Sequence, residues 1–271
     1  MTNEKRIYSR NADYQKIIVL KTNRNKRYRY GEFLVEGVRN INEAIKNQWV
    51  IASFLYCGER QMSDWAKEKL RDIKTEVNFN CSAEVMDELS GKEDSSELLA
   101  IVKMRDDFFD ISQLDNSHVI VLFDRPSNHG NLGTMIRTCD ALGVDLLILT
   151  GHGVDLYAPE VVTAGMGSFF HTPVIRLTEQ SKLTEMIGEL KEKNPDFKVI
   201  GTTAHKKNSL YETGVKPPCL LMIGNETMGL NQAYTEIADL LVTIPMAVDS
   251  SASSLNVACA GAILLYEIFR Q

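Results

Sequence analysis

The sequence lacks a long hydrophobic run. No apolar stretch reaches the roughly 18 residues expected of a membrane span, and the opening residues, MTNEKRIYSR, contain no apolar segment of the kind that a signal peptide needs. These absences predict a cytoplasmic protein with no membrane partner. The 271 residues are 44% apolar and 24% charged, a composition that supports a buried core and about two domains.

Cysteine is scarce and has no metal-binding pattern. The cysteines are odd in number, widely spread, form no C-x-x-C pair and have no histidine at metal-ligand spacing. They are Cys57, Cys81, Cys139, Cys219 and Cys259. We interpret them as reduced core residues and predict no metal site.

The usual nucleotide-binding motifs are also missing. No G-x-G-x-x-G opens a helix after the first strand of the C-terminal half, there is no P-loop, and Gly151-His-Gly153 is only a fragment of such a motif. This weighs against an α/β enzyme that acts on a small molecule through a nucleotide cofactor, which we keep as an alternative.

A regular alternation of strands and helices fills the C-terminal half. Continuous apolar runs typical of strands buried on both faces occur at 118–124, 144–150, 173–177, 197–204, 219–224 and 240–245. Helical stretches separate most of them, so the pattern predicts an α/β fold with a mostly parallel sheet. The first 105 residues alternate with shorter elements, and residues 106–116 have the acidic composition of a linker. We therefore predict a small α/β domain at 1–105, a linker at 106–116 and a larger domain at 117–271.

Three loops at strand ends carry more polar and glycine residues than turns require. The first follows VIVLFD and contains Asn131, a candidate cap for a helix beginning at Leu132, and Arg137 about two turns further on. The second is the Gly-Asn-Glu segment that begins at Gly224. The third precedes the C-terminal helix, for which Ser254 is a candidate N-cap. Ligands of open α/β sheets bind beyond such strand ends.

Together the three loops resemble the signature motifs of the SpoU/TrmH family of RNA ribose 2′-O-methyltransferases. Asn131-x-Gly133-x-x-x-Arg137 resembles the first motif, and Ile223-Gly224-Asn225-Glu226-x-x-Gly229-Leu230 resembles the second. The third is matched by Ile244-Pro245-Met246 followed by Ser254-Leu255-Asn256-Val257. The N-terminal segments GEFLVEGVRNINEAI and SSELLAIVKM look like those of the small ribosomal-protein-like RNA-binding domain that family members often carry.

The resemblance implies a fold, a cofactor and a set of site residues. It implies a SPOUT catalytic domain whose C-terminal part forms a trefoil knot, S-adenosylmethionine as cofactor, and a homodimer. The catalytic residues it implies are Arg137, Asn131, Glu226, Ser254 and Asn256. The cofactor-binding residues it implies are Thr150, Gly151, Gly224, Asn225, Ile244, Met246 and Leu255.

The role of Arg137 is left open by its chemistry. Arginine does not readily lose its proton, so it acts either as an unusual neutral base or as a charged group that grips the neighbouring phosphate. We favour the second role. The resemblance makes ribosomal RNA a better candidate substrate than transfer RNA; a non-catalytic RNA-binding protein is the other alternative.

Positive charge is concentrated at the N-terminus. The net charge is −6, yet residues 1–30 contain nine Lys and Arg against two acidic residues. We predict an RNA contact at Arg24, Lys26, Arg27 and Arg29, which alternate with Tyr28 and Tyr30 that could stack on unpaired bases. A solvated helix end explains the same pattern equally well.

Overall fold

Buried apolar runs form the central strands of two separate sheets. The computed structural model describes residues 3–92, 94–204 and 208–270. The elements up to residue 103 are β1 (Asn3–Ile7), α1 (Ala12–Thr22), α2 (Arg24–Tyr30), β2 (Glu32–Glu36), α3 (Val38–Lys46), β3 (Ile51–Tyr56), α4 (Asp64–Asp72), β4 (Val77–Cys81), α5 (Ala83–Leu89) and β5 (Leu98–Lys103).

The remaining elements alternate strand and helix as the sequence predicts. They are β6 (Val119–Asp124), α6 (His129–Leu142), β7 (Leu146–Thr150), α7 (Pro159–Ala164), β8 (Val174–Leu177), α8 (Gln180–Lys193), β9 (Lys198–Thr202), β10 (Asn208–Ser209), α9 (Leu210–Thr213), β11 (Cys219–Ile223), α10 (Gln232–Ile237), β12 (Leu240–Thr243) and α11 (Val257–Arg270). Single 3-10 turns lie at Ile111–Gln113 and Ser168–Phe170.

The chain divides into two compact units. The first contains the residues through Arg105 together with Asp155–His171, and the second contains Asp106–Val154 and the residues from Thr172 onward. Most of the segment between β7 and β8, namely Asp155–His171 with α7, therefore belongs to the first unit.

The first unit is built on a five-stranded mixed sheet in the order β1-β4-β3-β5-β2. β1, β4 and β3 run parallel, whereas β5 is antiparallel to both β2 and β3. Aromatic rings join the segment Asp155–His171 to β2: the Phe33 ring lies 4.9 Å from that of Tyr157 and 5.7 Å from that of Phe169. The Trp49 indole N–H donates to the Phe170 carbonyl at 2.9 Å.

A buried ion pair fixes the same segment. Arg27 and Asp155 are each only 4% exposed, and the Arg27 Nη2 lies 2.6 Å from the Asp155 Oδ2. Arg27 also donates through Nη1 to the Leu20 carbonyl at 2.8 Å, and the Tyr28 hydroxyl donates to Asp155 at 2.8 Å. Arg27 thus has a structural role in which its guanidinium is buried and engaged, and its RNA contact stays a prediction that this burial does not favour.

Asp155→Asn is expected to lower the free energy of unfolding by about 3 kcal/mol. The substitution keeps the shape of the side chain but leaves the buried Arg27 guanidinium without its counter-charge, which costs about 3–5 kcal/mol in comparable sites. Urea denaturation followed by circular dichroism measures the change. Asp72→Asn is the control, because Asp72 pairs with Arg71 on the exposed surface and should have little effect. Equal effects of the two substitutions would contradict the assignment.

The second unit is a seven-stranded sheet whose described pairings are all parallel. The order is β10-β12-β9-β11-β6-β7-β8. Every residue of β6, β7 and β11 is buried, as continuous apolar strands covered on both faces should be. The chain moves outward from β6 to β8 and returns to place β11 beside β6. Ligands of open α/β sheets bind at such a reversal, beyond the carboxyl ends of the strands.

The α/β fold class with a mostly parallel sheet is confirmed, and all six strands predicted for residues 118–245 are present. α11 packs closely on α6, since a Cβ added at Gly261 would lie 2.5 Å from the Met135 Cε. The trefoil knot stays a prediction, because sheet order by itself does not establish threading.

Neither a membrane-spanning helix nor a metal-ligand cluster occurs in the described ranges 3–92, 94–204 and 208–270. Within them, no helix combines the length and hydrophobicity needed to cross a bilayer. The same ranges contain no group of three or more His, Cys, Asp or Glu side chains that could hold a metal ion.

Candidate functional site

The carboxyl end of β6 carries a buried aspartate that joins three loops. Asp124 is 1% exposed, and its Oδ1 accepts a hydrogen bond from the Thr150 hydroxyl at 3.0 Å, at the end of β7. Its Oδ2 accepts from the Arg125 Nη2 at 2.8 Å and from the Asn231 backbone N–H at 3.0 Å. Asp124 therefore fixes the loops after β6, β7 and β11 relative to one another.

Arg125 extends this connection toward the loop after β11. It has a left-handed backbone with φ of +48°, its Nη2 donates to the Gly229 carbonyl at 3.1 Å, and its own carbonyl accepts from the Asn225 Nδ2 at 2.6 Å. The hydrogen bond with Asp124 raises the pKa of Arg125, so the guanidinium is charged. The sequence analysis missed both residues; the only signal was a charged pair directly after a buried strand.

The loop after β11 folds back on itself at Gly224. Asn225 and Gly229 exchange two backbone hydrogen bonds of 3.0 Å, and the Asn225 Oδ1 accepts from the Thr227 N–H at 2.9 Å. A Cβ added at Gly224 would lie 2.2 Å from the Leu230 nitrogen. Glycine is required there because another stretch of backbone occupies the space of a side chain.

A cavity of about 720 Å³ opens beside this loop. Its volume falls within the roughly 300–1,000 Å³ typical of small-molecule sites. Five of the predicted cofactor-binding residues line it, namely Gly224, Asn225, Ile244, Met246 and Leu255. Strand-end backbone and apolar side chains such as Val242 and Leu264 complete the wall. The cavity and its glycine cradle fit a nucleoside-sized methyl donor.

Thr150 and Gly151 are not among the residues that line the cavity. Thr150 is 2% exposed and its hydroxyl is used by Asp124. Gly151 has φ of +62°, and a Cβ there would lie 2.5 Å from the Arg125 Cγ. Both residues therefore support the loops at the strand ends and do not form the cavity wall.

A polar chain links the three predicted motifs. The Glu226 Oε1 accepts from the Asn131 Nδ2 at 3.2 Å, and the Asn131 Oδ1 accepts from the Asn256 Nδ2 at 3.0 Å. On its other side, the Glu226 Oε2 accepts from the Ser127 hydroxyl at 2.6 Å and from the Ser127 N–H at 3.1 Å. Ser127 is a further residue that the sequence analysis missed.

Hydrogen bonding keeps Glu226 ionised. Partial burial alone would raise the pKa of Glu226, but the hydrogen bonds from Ser127 and Asn131 outweigh it and hold the pKa below its ordinary value of 4.5. Both carboxylate oxygens accept from fixed donors, so the side chain is held in one orientation.

Two helix caps differ from those predicted. α6 begins at His129, and its cap is Asn128, whose side chain accepts from the Asn131 N–H at 2.9 Å. This frees the Asn131 side chain for Glu226. At α11 the Asn256 Oδ1 accepts from the Ala258 N–H at 2.9 Å. Ser254 is therefore not the cap; it is exposed and lines the cavity.

Arg137 lies on the exposed face of α6. Within the described part of the chain its side chain forms no hydrogen bond or ion pair, and it is not part of the chain of contacts from Ser127 to Asn256. The structure brings together Asn131, Glu226 and Asn256 directly, and leaves the Arg137 guanidinium available to a ligand.

The remaining predicted RNA contacts lie on α2 in the first unit. Arg24 and Arg29 are exposed and Lys26 is half-buried. The Arg24 guanidinium lies 5.7 Å from the Tyr28 ring centroid. Arg24, Lys26 and Arg29 therefore keep positions that a polyanion can reach, whereas Arg27 is buried in its ion pair with Asp155.

Comparisons with known proteins match both halves of the chain. The SpoU rRNA Methylase family matches residues 118–266, and the SpoU L30e-like domain matches residues 11–100. A 23S rRNA (uridine(2479)-2′-O)-methyltransferase of Streptomyces viridochromogenes is 40% identical over 98% of this chain and 92% of its own length. The 23S rRNA (guanosine(2553)-2′-O)-methyltransferase RlmP of Bacillus subtilis is 29% identical, over 90% of this chain and 91% of its own.

A solved structure agrees over nearly the whole chain. It is the SpoU methyltransferase AviRb from Streptomyces viridochromogenes in complex with the cofactor AdoMet, with a TM-score of 0.90 and 40% identity. The match covers 97% of this chain and 98% of that one.

Proposed function

This chain belongs to the SpoU rRNA methylase family, and from that premise we propose that it transfers a methyl group from S-adenosylmethionine to a ribose 2′-hydroxyl of 23S ribosomal RNA. The observation that carries the proposal is the polar chain from Glu226 through Asn131 to Asn256, beside a cavity of nucleoside size. Relatives named for 23S rRNA 2′-O-methylation favour ribosomal RNA over transfer RNA.

The side chains of the site align the ribose with the methyl donor and do not supply a strong base. When bound, S-adenosylmethionine supplies a methyl group already activated by the positive sulfonium. Gly224, Ile244 and Leu255 line the cavity and would hold the donor there. A carboxylate whose pKa is below 4.5 is a weak base for a ribose hydroxyl, so Glu226 orients Asn131 and Asn256 toward the ribose. Ser254 adds a hydroxyl at the cavity wall.

Arg137 completes the site by gripping the phosphate next to the target ribose. The guanidinium suits this role because it stays charged and binds phosphate through two parallel hydrogen bonds. Arg24, Lys26 and Arg29 of the first unit provide a further contact to the RNA backbone. Base action by a neutral Arg137 is the second candidate role, and the pH dependence of an Arg137→Lys variant separates the two.

We further propose a homodimer. α11 exposes Ile263, Tyr266 and Phe269 at helical spacing, with exposed fractions of 47%, 59% and 39%. An apolar stripe of this kind marks a protein interface. Light scattering during size-exclusion chromatography should give twice the chain mass, and Tyr266→Glu should give a monomer. A monomeric wild-type protein would overturn this part of the proposal.

Ribosomal RNA as substrate also implies a cytoplasmic location.

The decisive experiment is methyl transfer to separated RNA classes. The purified protein is incubated with isotope-labelled S-adenosylmethionine and, in turn, with unmodified 23S rRNA, 16S rRNA and transfer RNA. Mass spectrometry of the nucleosides then locates the label. We expect a 2′-O-methylated nucleoside from 23S rRNA; label on a base, or no transfer to any RNA despite donor binding, would overturn the function.

Ser127→Ala is expected to lower kcat about tenfold. The variant loses a hydrogen bond to an ionised carboxylate, an interaction worth about 1.5–3 kcal/mol. Because that bond lowers the pKa of Glu226, its removal raises that pKa, and the loss of activity on acidification should begin at a higher pH. Ser127→Thr keeps the hydroxyl and should restore both the rate and the profile. An unchanged profile in Ser127→Ala would show that Ser127 does not act through Glu226.

A further inference from the structure

A second large cavity lies entirely within the first unit, apart from the methyl-donor site. Its volume is about 1,130 Å³, slightly above the roughly 300–1,000 Å³ typical of sites that bind small molecules. It is lined by the start of α3, the turn at 89–92 and α7 with Met166, together with Lys21 of α1 and residues of β2.

A buried amide in this cavity has an unused acceptor. Asn40 is 7% exposed and lines the cavity. Its Nδ2 donates to the Glu36 carbonyl at 3.0 Å, which identifies the other atom as oxygen, and that Oδ1 has no hydrogen-bond partner among the residues that the structure describes. A buried acceptor left unsatisfied costs about 1–3 kcal/mol, so a ligand that brings an N–H donor is favoured here.

The Glu36 carboxylate in the cavity wall is ionised, and both of its oxygens accept hydrogen bonds from the protein. The Glu36 Oε1 accepts from the Ser90 hydroxyl at 2.5 Å, and the Oε2 accepts from the Gly91 N–H at 2.8 Å. Burial alone would raise the pKa of Glu36, but these hydrogen bonds lower it overall. Lys21 is also engaged, since its ammonium donates to the Ser90 carbonyl at 2.8 Å. Glu160 is the other carboxylate of the lining and is exposed.

Two cations stand at the rim. The Lys92 ammonium lies 3.8 Å from the position that a Cβ on Gly37 would take, and the Asn40 Nδ2 lies 4.0 Å from the same point. Lys92 is therefore near the buried amide; it is exposed, and its ammonium donates to the Ser96 hydroxyl at 3.2 Å. Arg39 is exposed and passes beside Gly167, where its Nε would be 3.4 Å from an added Cβ.

Apolar surface accompanies the cations. Val38 and Met166 line the cavity and are 51% and 41% exposed, and Leu34 and Val162 are buried within it. The required ligand has an apolar face, an edge that donates an N–H, and negative charge beside it. An unpaired nucleobase with its flanking phosphates has all three properties, because proteins read such bases through stacking and through hydrogen bonds to their exposed edges.

We propose that this cavity receives an unpaired nucleobase of the RNA substrate, with the Asn40 Oδ1 accepting from the base edge and Lys92 and Arg39 contacting the flanking phosphates. The inference rests on the proposed function and extends it, because it gives the first unit a defined subsite for selecting the RNA.

The charge contacts are tested by RNA affinity. The full-length protein carrying Arg39→Ala and Lys92→Ala is titrated with unmodified 23S rRNA over a range of salt concentrations. We expect about a tenfold weaker Kd, and a salt dependence shallower by about 1.4 logarithmic units per decade for two single-stranded phosphate contacts. The control is the double variant Lys67→Ala and Arg71→Ala on α4. It also removes one lysine and one arginine charge, but from residues outside the cavity, and it should bind RNA as the wild type does.

The base contact is tested by photo-crosslinking. 23S rRNA containing 4-thiouridine is crosslinked to the wild-type protein, and the modified residues are identified by mass spectrometry. We expect crosslinks at Val38, Asn40 or Met166, which Asn40→Ala should reduce while the donor affinity stays unchanged.

The two proposals fail in different ways. If 23S rRNA is methylated but crosslinks fall only outside the cavity, and the rim variant binds like its control, the subsite is overturned and the methyltransferase function stands. If no ribosomal RNA is bound or methylated, both are overturned. If a protein partner, and not a base of the RNA, occupied the cavity, the subsite would also be overturned.

Discussion

Arg137→Ala is expected to reduce methyl transfer about a thousandfold and leave S-adenosylmethionine binding intact. Removing one preorganised hydrogen-bond donor from an active site costs about 10²–10³ in rate, and loss of the phosphate grip also removes the alignment of the ribose. Arg137 is exposed on α6 and outside the chain of contacts from Ser127 to Asn256, so its loss should not disturb the cavity. Single-turnover transfer to 23S rRNA measures the rate, and calorimetry measures donor binding.

Arg137→Lys separates the two roles of this residue. A lysine keeps a positive charge but loses the bidentate geometry, so a phosphate grip should be partly restored with an unchanged pH profile. If Arg137 were instead the base, the pKa of lysine, about 10.4 and well below that of arginine, would move the alkaline part of the profile to lower pH. Arg71→Ala on the surface of α4 is the matched control. Activity of Arg137→Ala within threefold of wild type would contradict both roles.

Hydrophobic continuity made the second unit predictable from sequence. β6, β7 and β11 are buried along their whole length, and such strands leave continuous apolar runs. β1 has the opposite character: four of its five residues are exposed, so it has neither a continuous run nor an alternation. It forms because it pairs in parallel with β4, a contact that local sequence does not encode.

The site residues were predictable where a motif carried them, and their contacts were not. Asn128 and Asn131 both precede an apolar helical pattern, and side-chain amides cap helices equally well, so only the structure distinguishes the cap from the Glu226 partner.

The predicted basic cluster on α2 contained a similar ambiguity. Arg27 is separated by 128 residues from Asp155, and no local pattern reveals such a pairing.

Gly224→Ala is expected to abolish measurable donor binding and lower methyl transfer more than a thousandfold. An added Cβ would lie 2.2 Å from the Leu230 nitrogen and 2.3 Å from the Gly229 carbonyl carbon. These are backbone atoms, so the methyl group can be accommodated only if the loop moves. That loop is held by the bonds between Asn225 and Gly229 and lines the cavity, so its movement changes the wall against which the donor rests. Calorimetric titration with S-adenosylmethionine measures the loss.

Gly188→Ala is the control that separates loop geometry from a general effect of the substitution. Gly188 lies in α8, and a Cβ there would meet nothing within 4 Å. Alanine is favoured over glycine inside a helix by about 0.5–1 kcal/mol, so this variant should be slightly more stable and fully active. If Gly224→Ala bound the donor with an affinity within threefold of wild type, the loop would be able to move aside at little cost in free energy. The close approach of the backbone at Gly224 would then not define the donor site, and the cavity beside it would lose its assignment.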